Sequence, residues 1–201
     1  RDRLRSRGLG DVYKRQGSGK TTIAAALQQY FLNDNTACYV LTGDNYPHRI
    51  PMRNDEERLN VYNESGEDGL RGYLGTPEEI DFDRINKELS EFKAGKDIIE
   101  IKHMGREDGD ISYDETDFTG IKVLILEWTH GGSEYLKGVD IPVFLESSPE
   151  ETKARRIKRG RDENAASPFI CRVVELEQEK LDLQGKNARI VVGKDGKVYE
   201  Q

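Results

Sequence analysis

The stretch that decides the fold is Gly17-Ser18-Gly19-Lys20-Thr21-Thr22, which is followed by the helix-forming run from Ile23 to Phe31. These six residues are typical of the second half of a P-loop, whose backbone N–H groups wrap the phosphates of a nucleotide. In such a loop the lysine ammonium reaches the β- and γ-phosphates, and the first threonine hydroxyl ligates Mg²⁺. The dipole of the following helix adds to anion binding. The stretch therefore predicts a nucleotide and Mg²⁺ site.

The residues before this stretch do not match what a P-loop requires. The full motif has a Gly five residues before Gly19, where this chain has Lys14, and an apolar strand should lead into the loop. Ser6 to Gln16 looks like an in-frame translation of a transposase-type sequencing adapter, whose end GAT GTG TAT AAG AGA CAG encodes Asp11 to Gln16. We therefore interpret residues 1–16 as non-native rather than as a basic arm. We expect them to be disordered or a poor substitute for a missing first strand.

Composition narrows the class of protein. The 201 residues fit one domain, which we place at residues 17–201. Net charge is −7, and because residues 1–16 carry six basic and two acidic side chains, the remainder stands at −11. Such an acidic chain argues against nucleic acid as a partner. No apolar run approaches membrane-spanning length, and no secretory signal is visible. Cys38 and Cys171 show no metal-ligand spacing, so we expect reduced thiols and a cytoplasmic protein.

Helical and strand patterns alternate along the rest of the chain, which predicts an α/β fold of three layers around a mainly parallel sheet. The predicted helices cover residues 20–32, 55–62, 76–95, 148 onward and 169–183. The predicted strands cover residues 37–41, 97–103, 120–127, 139–146 and 188–192, with a hairpin turn at 194–197. We interpret the polar region at about 46–75 as a substrate-covering segment or a solvated insertion, and residues 104–119 as an acidic loop.

Two carboxylates follow predicted buried strands. Asp44 comes after the apolar strand at 37–41, and Glu127 ends the strand at 120–127. In open α/β sheets, ligands bind at the carboxyl ends of the strands. The second strand resembles a Walker B strand, whose terminal carboxylate helps to place Mg²⁺. An ordinary turn or helix cap is the alternative for Asp44, but beside the P-loop a catalytic position is favoured.

A basic cluster is unusual in so acidic a chain. Arg155, Arg156 and Arg159 fall within a segment at about 153–168 that also contains Asp162. A solvated helix face with ion pairs to acids one turn away is one interpretation. The other is a lid that clamps phosphates, which the P-loop favours.

Four segments, in this order, resemble the uridine kinase and phosphoribulokinase family of P-loop kinases. They are Gly-Ser-Gly-Lys-Thr-Thr at 17–22, Gly-Asp-Asn-Tyr at 43–46, Asp-Phe-Asp at 81–83 and Leu-Ile-Leu-Glu at 124–127. The resemblance implies ATP and Mg²⁺ as cofactors and assigns a role to each matching residue. Asp44 would be the general base, Lys20 and Thr21 would hold phosphates and Mg²⁺, Glu127 would support Mg²⁺, and the lid arginines Arg155, Arg156 and Arg159 would stabilise the transferring phosphoryl group.

The chain departs from uridine kinases on the acceptor side. Their nucleoside-binding Phe-Asp-His-Pro is replaced by Leu74-Gly75-Thr76-Pro77, so the acid that would grip a ribose diol is absent. Their Pro-x-Tyr-Asp strand end is Ile101-Lys102-His103-Met104. We therefore expect a hydroxyl acceptor other than uridine. The candidate acceptor residues, each of which could also be an ordinary surface residue, are Tyr46, His48, Arg49, Lys102, His103 and Arg106.

The leading hypothesis is an ATP-dependent kinase whose partners are ATP and a small-molecule hydroxyl acceptor. An adenylylsulfate-kinase-like transferase is the second, because a change of acceptor would be hidden within residues 46–75. A nucleotide-binding regulatory module without catalysis is the third, although such a module would not need a base such as Asp44. The sequence leaves the oligomeric state open, and a homo-oligomer stays possible.

Overall fold

A computed structural model of the chain describes residues 8–13, 20–146 and 167–201, and only the backbone of residues 8–13. The helices in this part of the chain are α1 (Lys20–Asn33), α2 (Pro51–Tyr73), α3 (Phe82–Lys93) and α4 (Pro168–Gly185). The strands are β1 (Gly8–Tyr13), β2 (Cys38–Thr42), β3 (Ile98–Met104), β4 (Ile111–Asp117), β5 (Val123–Trp128), β6 (Ile141–Leu145), β7 (Ile190–Val192) and β8 (Val198–Glu200).

Six of the strands form one sheet in the order β2-β5-β1-β6-β7-β8. Neighbouring strands run parallel from β2 to β7, and β8 alone returns antiparallel through the predicted hairpin turn. Strands β3 and β4 pair separately as an antiparallel hairpin. The prediction of an α/β fold around a mainly parallel sheet is confirmed.

Strand β5 shows why this sheet is buried on both faces. Leu124 and Leu126 belong to an apolar cluster that includes the buried face of α3, whereas Ile125 packs with Ala24 of α1. Successive side chains of a strand point to opposite faces, so an unbroken apolar run has a helical layer on each side. The carboxyl end of β5 is thereby fixed between these layers.

Strand β1 decides between the two expectations for the first residues. Gly8–Tyr13 lies between β5 and β6 and pairs parallel with both, with Gly10 opposite Ile125 and Ile141. The expectation of disorder is therefore wrong for these six residues, because their backbone occupies the central strand position. Their Gly-Leu-Gly-Asp-Val-Tyr sequence is not the apolar run that such a strand usually carries. The adapter origin stays a hypothesis.

Helix α2 is the largest departure from the predicted secondary structure. The sequence predicted a short helix at 55–62 in a loop, but one helical segment runs from Pro51 to Tyr73 with a kink at Gly66, where φ is +66°. Its buried apolar contacts are few, chiefly Leu70 against α4. Ion pairs such as Arg58 with Glu177 add to this attachment. Their charged side chains leave no apolar stripe for sequence patterning to detect.

Two further predictions of secondary structure are wrong, namely the start of α3 and the loop at residues 104–119. Helix α3 was predicted to begin at Thr76, but it begins at Phe82 with Asp81 as N-cap, whose carboxylate accepts from the Arg84 backbone N–H at 3.0 Å. The intervening turn places Glu79 inward, 1% exposed, so this acid is not a solvated first-turn residue. Residues 104–119 were predicted as a loop but contain β4, whose polar, exposed side chains hide its pairing with β3.

Within the described ranges, no helix is both long and apolar enough to cross a bilayer. The predicted helix from 148 onward and the basic cluster at 153–168 lie mostly outside the described residues.

Candidate active site

Lys20 is the first residue of α1 and is only 5% exposed. Its ammonium donates to Thr129 Oγ1 at 3.2 Å, just beyond the end of β5. A buried ammonium is costly unless anions or hydrogen-bond acceptors surround it. The contact therefore directs the P-loop lysine towards the carboxyl edge of the sheet. Gly17, Ser18 and Gly19 lie outside the described residues, and Thr22 is exposed on the first turn of α1.

Glu127 occupies the same edge and is 8% exposed. Burial raises the pKa of its carboxyl group, the Lys20 ammonium lowers it, and the nearby charge of Asp44 raises it again. The hydroxyl of Thr21 donates to this carboxylate. The structure thus brings together Lys20, Thr21 and Glu127, which the sequence predicted from separate motifs.

Asp44 is exposed in a short 3-10 turn, Gly43–Asn45, that directly follows β2. Because Thr42 pairs in register with Glu127, the two carboxylates lie at the ends of adjacent parallel strands. Gly43 permits this arrangement, since a side chain at that position would overlap the indole of Trp128. The turn therefore holds Asp44 above the edge at which Lys20 and Glu127 meet.

This group of side chains fits Mg²⁺ and a nucleotide. The Thr21 hydroxyl and the Glu127 carboxylate are hard oxygen ligands of the kind that Mg²⁺ prefers, and the lysine supplies a charge for phosphates. In the part of the chain that the structure describes, no group of three or more His, Cys, Asp and Glu side chains could hold a metal alone. That is compatible with Mg²⁺ held by few protein ligands together with substrate phosphates.

The structure separates the candidate acceptor residues. Tyr46 is fully buried, with its hydroxyl donating to Glu88, so it belongs to the core and not to an acceptor surface. His48 is exposed, its Nε2 lies 3.0 Å from the Pro77 carbonyl oxygen, and it lines an open cavity of about 240 Å³ whose walls include Phe82. Of these two candidates, only His48 lies where a small molecule could contact it.

Arg49 and Lys102 serve mainly as links between elements. Arg49 donates to the Tyr73 hydroxyl at 3.3 Å and pairs with Glu57 at 3.4 Å, which ties it to α2. Lys102 is 2% exposed, and its ammonium donates to the Pro47 carbonyl at 3.0 Å. Burial lowers the pKa of Lys102. The lysine therefore anchors the segment that follows Asp44.

The remaining two candidates lie on the β3–β4 hairpin. His103 faces Asp114 across the strand pair at 3.9 Å. Arg106 is exposed, with its backbone N–H donating to Asp110 at 3.3 Å. The turn end of the hairpin reaches the catalytic edge, because the Met104 N–H, next to the turn, donates to Asn45 Oδ1 at 3.4 Å. Arg155, Arg156 and Arg159 lie outside the described residues.

Sequence reasoning missed two residues of this edge, Thr129 and His130. Thr129 contacts Lys20, and the His130 ring stacks edge-on to Trp128 at 5.6 Å between centroids. The signal that could have revealed both is their place directly after strand β5, which carries Glu127.

Comparisons with known proteins identify the family of the chain. The model of the phosphoribulokinase/uridine kinase family matches residues 12–175. The bifunctional alpha-galactosidase/sucrose kinase AgaSK of Mediterraneibacter gnavus is 74% identical over 190 residues, which cover 94% of this chain. This chain spans 20% of the length of that relative.

Solved structures share the fold at low sequence identity. Phosphoribulokinase from Rhodobacter spheroides has a TM-score of 0.67 and 13% identity, over 94% of this chain and 70% of that one. D-glycerate 3-kinase from Cryptococcus neoformans has a TM-score of 0.64 and 11% identity, over 98% of this chain and 90% of that one. Since the family model matches most of the chain, this protein belongs to the phosphoribulokinase/uridine kinase family.

Proposed function

We propose that this chain transfers the γ-phosphoryl group of ATP to a hydroxyl of a small carbohydrate, with sucrose as the first acceptor to test. The observation that carries the transfer chemistry is the grouping of Lys20, Thr21, Glu127 and Asp44 at one sheet edge. The choice of acceptor is supported by the 74% identity to a protein named as a sucrose kinase. A relative so similar is a better guide to the acceptor than uridine kinases, whose nucleoside-gripping acid has no counterpart here.

Each residue then has a task in the transfer. When bound, Mg²⁺ and ATP supply the phosphoryl group and a cation that neutralises its developing charge. Lys20 binds the β- and γ-phosphates, while Thr21 and Glu127 would hold the cation. Asp44 is exposed where an acceptor can reach it, and its carboxylate accepts the proton of the attacking hydroxyl. Positioning and electrostatics do most of the work in such a reaction.

The lid remains part of this proposal on sequence grounds. Arg155, Arg156 and Arg159 would place positive charge over the phosphates and stabilise the transition state. We also propose a cytoplasmic location, where ATP is available. Cys38 and Cys171 are not joined by a disulfide, which is compatible with that location.

The test is ADP release by the purified chain with Mg²⁺–ATP and single acceptors: sucrose, glucose, fructose, uridine and adenylylsulfate. We expect turnover with sucrose and its loss in Lys20→Ala, which removes the fixed charge on the phosphates. Lys87→Ala, on the exposed side of α3, is the matched control and should keep parental turnover. Turnover confined to adenylylsulfate would assign the adenylylsulfate-kinase-like reaction instead. Tight ATP binding without turnover on any acceptor would indicate a regulatory module.

A further inference from the structure

In the turn between α2 and α3, the imidazole of His130 occupies the space that a side chain at Gly75 would need. Gly75 has φ of +67°, and a Cβ built on it would lie 2.9 Å from Nδ1 and 3.1 Å from Cε1 of His130. A side chain at position 75 and the present imidazole therefore exclude each other. The backbone of Gly75 thus lies directly against the His130 ring.

His130 belongs to the same strand end as the nucleotide-side residues. It follows Thr129, which contacts the Lys20 ammonium, and it lies three residues after Glu127. The residue is partly exposed at this edge of the sheet. The edge-on contact with Trp128, at an interplanar angle of 81°, limits rotation of the ring. The imidazole is thus a held polar group beside the reacting centre.

The charges around His130 come from four elements. Glu79 lies on the α2–α3 turn, Arg58 on α2, Glu177 on α4 and Asp44 on the turn after β2, and all of them act on the imidazole. Glu79 and Arg58 pair at 2.6 Å, and Arg58 also pairs with Glu177 at 3.0 Å, so these three charges largely satisfy one another. Burial lowers the pKa of His130, which keeps the ring neutral near pH 7. A neutral imidazole offers one donor and one acceptor.

We infer that His130 binds the acceptor by hydrogen-bonding a hydroxyl adjacent to the one that is phosphorylated, and thereby turns the reacting hydroxyl towards Asp44. This inference rests on the proposed function for its acceptor class, a polyhydroxylated sugar. A neighbouring pair of hydroxyls matches the two groups present, because the carboxylate of Asp44 accepts one proton and the imidazole can donate to or accept from the other hydroxyl. His130 is then a specificity-determining residue on the acceptor side.

The kinetic test uses His130→Leu and His130→Asn in the full chain, with sucrose and ATP varied separately. Loss of an acceptor hydrogen bond should raise the KM for sucrose about tenfold in His130→Leu and less in His130→Asn, which keeps a donor and an acceptor. The KM for ATP should stay within about twofold, because Lys20 and the loop bind the nucleotide. Gln29→Leu, on the exposed face of α1, is the control for a polar-to-leucine change and should leave both constants unchanged.

NMR signals of the imidazole can distinguish direct contact between sucrose and His130 from an indirect structural effect of the substitutions. The chain has three histidines, so the imidazole ¹H–¹⁵N signals of His130 can be assigned by their loss in His130→Asn. We expect sucrose, added with Mg²⁺ and a non-hydrolysable ATP analogue, to shift these signals. If His130→Leu fails to fold, as judged by its thermal unfolding midpoint, His130→Asn and the parental spectrum decide the question.

The two proposals fail in different ways. Parental turnover of sucrose with an unchanged sucrose KM in both variants, or with His130 signals that do not move, overturns the role of His130 and leaves the kinase function standing. Absence of turnover with every sugar overturns the proposed function. In that case a sucrose-dependent shift of the His130 signals still supports binding at this ring, and a static spectrum overturns it.

Discussion

Asp44 has a position that a structural aspartate would not need. It is exposed on a turn that is packed against Trp128 and is tied to the β3–β4 hairpin through Asn45, so its backbone is held while its side chain stays accessible. A general base must be fixed in position and accessible, because it has to contact the hydroxyl of the substrate. Its role can therefore be separated from a contribution to folding.

Asp44→Asn should lower kcat by about 10² to 10⁴, the range for loss of a general base, because the amide cannot accept the hydroxyl proton. ATP binding should change little, since Lys20 holds the phosphates. Steady-state kinetics and a nucleotide-binding titration check the two expectations. Asp34→Asn, in the exposed turn after α1, is the matched control. A kcat for Asp44→Asn close to that of the control would contradict the assignment.

Sequence reasoning could place Lys20, Asp44 and Glu127 because each follows from a local rule: a loop before a helix, or an acid at a strand end. It could not place Tyr46 or His130. The burial of Tyr46 depends on Glu88, 42 residues away, and the position of His130 depends on the absence of a side chain at Gly75. Such long-range contacts leave no mark in local spacing.

At the scale of elements, Glu79 joins three pieces of the structure. Its carboxylate accepts from Arg58 at 2.6 Å and Asn54 at 2.9 Å, both on α2, and from the Gly75 N–H at 2.6 Å. Arg58 extends the link to Glu177 on α4. The turn that carries Gly75 is therefore held by a buried ionic network, and the charged pairs across α2 and α4 add to the apolar contact of Leu70 with α4.

Glu79→Gln should destabilise the fold by about 3 kcal/mol at pH 7, because it leaves Arg58 with less compensating charge in a buried setting. Burial alone would raise the pKa of Glu79, but Arg58 and the other donors outweigh it and lower the pKa below 4.5. The stabilisation is thus complete above pH 4.5 and is lost as pH falls through the folded-state pKa.

Denaturant unfolding of parent and Glu79→Gln from pH 7 to pH 3 should show a difference in free energy that narrows below about pH 4.5. Glu78→Gln is the neighbouring exposed control and should stay within about 0.5 kcal/mol of the parent. A difference that grows towards low pH would contradict a Glu79 that is ionised in the folded state.

The same ionic interface explains why α2 was hard to predict. Its charged residues are typical of a solvated loop, and only pairing with α4 reveals their role, as in Arg172 with Glu67. By contrast, α1, β5 and α4 carry continuous or periodic apolar positions, and their predicted bounds lie within three residues of the observed ones. Prediction succeeded where burial of apolar side chains stabilises an element, and it failed for α2 and β4, whose side chains are mostly charged or polar.

Arg159→Ala tests the basic cluster, which lies outside the described residues and stays a proposal from sequence. A contact made as charge redistributes in the transition state lowers the barrier rather than tightening ATP binding. We therefore expect kcat to fall by about 10³ while the KM for ATP changes far less. Arg189→Ala, an exposed arginine before β7, is the control. A kcat within about twofold of the parent would make Arg159 an ordinary surface residue.

At the scale of the whole molecule, the central strand is the least typical part of the sheet. Strand β1 has neighbours on both sides, yet Gly8, Gly10 and Asp11 interrupt its apolar character. Glycine in a strand interior costs about 0.5–1 kcal/mol, and buried parallel strands are normally apolar throughout. The proposal that residues 1–16 are foreign predicts that this strand limits stability.

Gly10→Val combined with Asp11→Ile should therefore raise the thermal unfolding midpoint by about 4 °C, the shift expected for a gain of roughly 1–2 kcal/mol in a chain of this size. Differential scanning calorimetry measures it. Glu200→Ile on the exposed edge strand β8 is the control and should give no comparable rise. A midpoint that falls in the β1 variant would indicate that these residues are suited to their place, against the adapter hypothesis.

The most direct test of the central claim is product analysis by mass spectrometry and ³¹P NMR after the chain is incubated with Mg²⁺–ATP and sucrose. A sugar kinase gives one molecule of phosphorylated sucrose for each ADP, and no product with Asp44→Asn at matched times. ADP accompanied only by inorganic phosphate, or ATP that stays intact in the presence of every sugar, would contradict the claim that this edge of the sheet transfers phosphate to a carbohydrate hydroxyl.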